Sequence, residues 1–159
     1  MRDEKIIKKD RMRYTKNTIS STLALVSIVF NVLYFISLYS SNVNQYYYNY
    51  NIGLSVVYNL LFLLFVFLCS EGIKNYSNSY ALLIIALGAL QIVRIFHIPL
   101  TAHNSLVVIE GVEQLAMGDG QFIYIVILLS LSCLAAVASG VIGIYKTTVL
   151  RAYNKSIGK

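Results

Sequence analysis

Gln91, Arg94 and His97 stand three residues apart, and Arg94 is the only Lys or Arg between Lys74 and Lys146. That spacing puts Gln91 and Arg94 on one face of a helix, with His97 continuing the face after some drift. A guanidinium at membrane depth costs about 2.5 to 3.5 kcal/mol on insertion scales, so an ionisable residue there marks a site by default. Neutral partners are at hand: Asn31, Asn59 and Ser130 interrupt three other apolar stretches of the chain. Such a set can donate and accept hydrogen bonds, but it holds no nucleophile with an adjacent base. Its chemistry is recognition, passage of a solute or helix association rather than covalent catalysis.

Other reactive groups point the same way. Cys69 and Cys133 lie inside apolar segments, form no CxxC pair and read as small packing residues. His97 and His103 are separated by Pro99 and have no Cys or carboxylate pattern beside them, so no zinc, haem or iron–sulfur spacing is present. Neither a P-loop nor a GxGxxG occurs. No catalytic, cofactor-binding or metal-ligating residue is therefore expected, and the chain is not expected to be an enzyme.

The elements that must position these residues follow from composition. Of 159 residues, 57% are hydrophobic and 13% charged, about half the charge of an ordinary soluble domain. Four segments, 20–39, 52–70, 80–100 and 122–145, are long enough to cross a hydrocarbon core of about 30 Å as helices. Only the third carries a charge, that of Arg94. The fold expected is an all-α integral membrane protein, a four-transmembrane-helix bundle over 20–145 with tails at 1–19 and 146–159. The first segment is too long for a signal-peptide core and lacks a small-residue cleavage pattern, so it reads as a retained anchor.

The net charge of +6 is concentrated at the ends. Arg2, Lys5, Lys8, Lys9, Arg11, Arg13 and Lys16 precede the first span, and Lys146, Arg151, Lys155 and Lys159 follow the last. Lys74 lies in the 71–79 loop, whereas loops 40–51 and 101–121 have no Lys or Arg. By the positive-inside rule both termini and the 71–79 loop are cytoplasmic. Charge placed this way serves topology and anionic headgroups, not nucleic acid. Ile6 and Ile7 offer the N-terminal tail only a short apolar face, so an unstructured topogenic tail is expected over a surface helix. Glu71 and Lys74 read as an exposed local pair.

Tyr46, Tyr47, Tyr48 and Tyr50, with Asn42, Asn44, Asn49 and Asn51, crowd the first outer loop. They suit an interfacial anchor, or more sharply a docking surface. In the second outer loop Leu106, Val108, Ile109, Val112 and Leu115 recur at helical spacing after Ser105. Glu110 and Glu113 form the polar flank and Gly118 and Gly120 the end, so a short interfacial helix is expected there.

Counted from the outer ends of their spans, Asn31, Asn59, Gln91, Arg94 and Ser130 fall about 9 to 17 Å deep at the helical rise. Every helix contributes to one polar layer, over which Glu110 or Glu113 could close. The layer could hold the helices together, face another subunit, or line a site open to the outside. Ser132, Ala136 and Gly140, with Ser139 and Gly143, add a small-residue helix-packing face to the fourth span.

The reading expected is a non-catalytic accessory or structural subunit of a larger membrane complex, foremost a transport system. It would sit in the plasma membrane, and the Ile-, Asn-, Lys- and Tyr-rich composition points to a low-GC bacterium. Its partners would be membrane lipids and other subunits or copies of itself. The alternatives are a stand-alone homo-oligomeric channel or small-solute carrier, and a membrane enzyme acting on lipid or quinone.

Overall fold

The computed structural model describes residues 2–39, 49–109 and 111–158. Among them the elements run α1 (Arg2–Met12), α2 (Thr18–Tyr39), α3 (Asn49–Lys74), α4 (Asn78–Ile95), α5 (Ile98–His103), β1 (Leu106–Ile109), β2 (Val112–Leu115) and α6 (Asp119–Ser156). Four helical stretches are long and apolar enough to cross a membrane: α2, α3 from Gly53, α4 continued through α5, and α6. α2 and α4 both pack closely on α6, and α3 closes the ring against α2 and α4 while barely touching α6.

These helices associate because each presents a buried stripe, rich in small and polar residues, repeating every three or four positions. In α2 the stripe is Ser20, Ser21, Ala24, Ser27, Asn31, Tyr34 and Leu38; in α4 it is Ala81, Ile84, Gly88, Gln91 and Arg94. Such a period is the seam of helices inclined at about 20°. Large apolar side chains, among them Val29, Ile36, Leu60, Leu64, Leu82, Val93, Ile123 and Leu134, instead point out of the bundle. Ser and Asn inside with Leu and Ile outside suits an apolar surrounding, where close backbone approach and buried hydrogen bonds hold helices together.

α4 and α6 meet most closely. A Cβ on Gly140 would come within 2.6 Å of the Ala81 carbonyl oxygen, and one on Gly88 within 3.1 Å of the Ala136 methyl. The α3–α4 connection is equally tight: Asn75 and Ser77 donate their N–H to the Gly72 carbonyl, while Tyr76 turns the chain at φ 58°.

Three expectations are corrected. The third span is not one helix over 80–100. α4 ends at Ile95, the chain bends through Phe96 and His97, and α5 restarts with Pro99 in its first turn. Proline has no N–H for the Ile95 carbonyl and disfavours helical backbone in the residue before it. The segment 105–115 is not an interfacial helix either; β1 and β2 form an antiparallel hairpin with Leu106 opposite Leu115 and Ile109 opposite Val112. Val107, Val108, Ile109 and Val112 are β-branched, and Gly111 supplies φ 82° for the two-residue turn. Thirdly, α1 is helical where an unstructured tail was expected, with Ile6 and Ile7 exposed.

α6 also runs beyond the expected span end at Tyr145, to Ser156. No Gly or Pro interrupts it after Gly143, and it stops at Gly158 with φ 72°. α1 packs beside this extension, where the Tyr153 hydroxyl lies 3.5 Å from Asp10 Oδ1. The expected tyrosine-rich loop (Tyr46, Tyr47, Tyr48, Asn42, Asn44) and Glu110 lie outside the described residues, as do the side chains of Asn49, Tyr50 and Asn51.

Candidate functional site

Two apolar clusters fill the bundle. One, toward the hairpin, contains Tyr34, Leu38, Met117, Ile125 and Leu129; the other, toward the termini, contains Ala24, Phe62, Val66, Ile84 and Ala136. Between them lies a polar layer centred on Arg94. Its place in the last turn of α4, on the buried stripe, aims the guanidinium across the bundle.

Arg94 retains only 9% of its surface, and Gln91, Asn31 and Asn59 retain 2% or less. Nη1 donates to Asn31 Oδ1 at 2.9 Å and to Gln91 Oε1 at 3.0 Å, and Nη2 donates to Asn59 Oδ1. Gln91 Nε2 donates to Asn31 Oδ1 at 3.1 Å and reaches Ser132 Oγ at 3.5 Å. Asn59 Nδ2 is held by the Ser55 carbonyl one turn earlier, at 3.1 Å. The guanidinium carbon also lies 4.6 Å from the Tyr34 ring centre and 4.8 Å from that of Tyr58. Faces of tyrosine attract a desolvated cation by about 2 kcal/mol. One side chain thus binds α2, α3 and its own helix, and Gln91 extends the network to α6.

Among the described residues the charge itself is answered only by neutral groups. Among the described residues no carboxylate lies within 4.0 Å of Arg94. Glu113, expected as a cover, is exposed on β2. Asn31 Nδ2 is buried without a hydrogen-bond partner; its Oδ1 accepts from two donors, so exchanging the amide atoms would set donor against donor.

Asn31, Asn59, Gln91 and Arg94 are therefore brought together, and two other expected members are not. Ser130 lies two residues, or about 200° of helix rotation, from Ser132, which occupies the inward position instead. His97 is exposed beyond the α4 break and belongs to the rim. Sequence reasoning missed Tyr34, Tyr58, Ser27 and Ser55. The signal was present: Tyr34 follows Asn31 by three, Tyr58 adjoins Asn59 and Ser55 precedes it by four.

The small-residue face of α6 lies inside the bundle. Ser27 and Ser132 each reach the other's carbonyl, at 2.9 and 3.0 Å, and Ser139 donates to the Ser20 carbonyl at 2.6 Å. Ala136, Gly140 and Gly143 are buried against α3 and α4. Nearer the termini, Ser21 and Ser70 hydroxyls meet at 2.8 Å. There Lys146 Nζ donates to Asn17 Oδ1 at 3.0 Å, and Asn17 Nδ2 to Ser20 Oγ at 2.8 Å.

Elsewhere, His103 stacks on Phe122 with ring centres 4.6 Å apart and lies 3.9 Å from Asp119, with no link to His97. Among the described residues no group of three His, Cys, Asp or Glu gathers to hold a metal. A cleft of about 240 Å³ opens beside Arg94 between α3 and α4, lined by Leu54, Ser55, Tyr58, Leu90, Val93, Arg94 and His97.

The fold thus defines a bundle of four helices fit to cross a membrane, tied by buried polar side chains. Comparison with family models, with curated proteins and with solved structures finds no match to this chain.

Proposed function

We propose that this chain is a non-catalytic subunit of a larger membrane assembly, foremost a transport system. In this reading the bundle is inserted in the plasma membrane of a low-GC bacterium with both termini cytoplasmic. The observation that carries it is the closure of the polar layer on itself: Arg94 binds Asn31, Gln91 and Asn59 across three helices. Groups that bind one another across helices in this way fix the shape of a scaffold. A conducting path would instead present them to a lumen. The basic termini fit the orientation, because seven Lys or Arg precede α2 and four follow Tyr145.

The same closure counts against the stand-alone channel or carrier, whose path would have to be lined by residues that are buried and paired. Reconstitution tests the choice. The chain alone in proteoliposomes should give no flux of small ions or solutes above protein-free vesicles. Flux that disappears in Arg94→Ala, with the fold retained, would make it a channel or carrier.

A further inference from the structure

We propose that the α3–α4 cleft binds the phosphate head of one anionic phospholipid from the surrounding bilayer. The inference rests on the membrane setting of the proposed function but not on the subunit role. Among the described residues Arg94 is a nearly buried cation that donates to three neutral amides, and amides disperse a charge without cancelling it. Buried charges are normally paired with an opposite charge. Three of its bonds go to amides, a guanidinium has five N–H donors, and Arg94 also forms part of the cleft wall.

The rest of the cleft fits an amphiphile. Tyr58 and Ser55 bring hydroxyl-bearing side chains to the wall, and His97, three residues after Arg94, stands at the rim. A phosphate offers several acceptor oxygens to such a set, and Arg binds it with charge-assisted hydrogen bonds. Leu54, Leu90 and Val93 complete the lining and are themselves 52%, 45% and 61% exposed on the outer faces of α3 and α4. The cleft therefore opens sideways onto the apolar surface of the bundle. An occupant with its anionic head at Arg94 and acyl chains along Leu54, Leu90 and Val93 matches both halves. A soluble anion matches only the first.

The test is native mass spectrometry of the full chain taken from vesicles of equal parts phosphatidylcholine and phosphatidylglycerol. The wild-type chain should retain one phosphatidylglycerol about tenfold over phosphatidylcholine, the size of effect a charge-assisted pair supports. Val93→Trp, which fills the cleft from its exposed wall and leaves the Arg94 network untouched, should abolish that preference without lowering the melting temperature. His97→Ala should weaken it. Equal retention of the two lipids by the wild-type chain, or undiminished preference in a folded Val93→Trp, would overturn the proposal. Inorganic phosphate offered to particles containing only phosphatidylcholine should leave no bound mass. Phosphate bound there, and lost in Val93→Trp, would overturn the lipid assignment in favour of a soluble anion.

Discussion

Arg94 does what no other described side chain does: it reaches from one helix to amides on two others while resting against two tyrosine rings. Its removal takes the Arg94 donor from Gln91 Oε1 and Asn59 Oδ1, while Asn31 Oδ1 keeps Gln91 Nε2. Arg94→Met, which keeps most of the stem and deletes the charge, should cost about 3 kcal/mol, read as a fall in the melting temperature of the purified chain. Ser130→Ala should stay within about 0.5 kcal/mol in the same assay, because Ser130 lies off the buried stripe. A larger effect at Ser130 than at Arg94 would contradict the assignment of the layer. Depth alone brought Asn31, Asn59, Gln91 and Arg94 to one level, since the helical rise is fixed. Depth could not tell Ser130 from Ser132, because facing depends on which stripe packs, and a mostly apolar helix leaves that choice to its neighbours. Tyr34 and Tyr58 went unread for a related reason: tyrosine is favoured at interfaces, and only the packed helices show a ring beneath the guanidinium.

At the scale of elements, the contact of α4 with α6 depends on missing side chains. Gly140→Ala places a methyl against the Ala81 carbonyl and should cost about 1 to 3 kcal/mol by thermal unfolding. Gly120→Ala, near the start of α6 with nothing within 4 Å of the added carbon, should be close to neutral. Equal losses at the two sites would mean that the α4–α6 packing described here is wrong. The four long helices were legible because apolar stretches of twenty residues, uncharged but for Arg94, have few alternatives. The breaks were less so. Pro99 was visible in the sequence, yet its effect had to compete with an apolar pattern that continues through it. The hairpin was mistaken for a helix because Leu106, Ile109, Val112 and Leu115 satisfy a period of three as well as a strand alternation interrupted by a turn. β-branching and Gly111 decide between them.

For the whole molecule, the proposed topology rests on where the charge lies. Removing residues 2–13 deletes six of the seven basic residues before α2 and should lower the fraction of chains inserted with both termini cytoplasmic. Reporter tags at the two ends measure that fraction, and unchanged topology would refute a topogenic role for the tail. Helicity of α1, packed beside the end of α6, does not alter this expectation, since the rule counts charge near the span rather than its conformation.

The subunit reading is tested most directly by the mass and composition of the particle gently extracted from its native membrane. Other proteins at fixed stoichiometry are the result expected, and their identities would specify the assembly. A particle holding only this chain, alone or in copies, would contradict the reading.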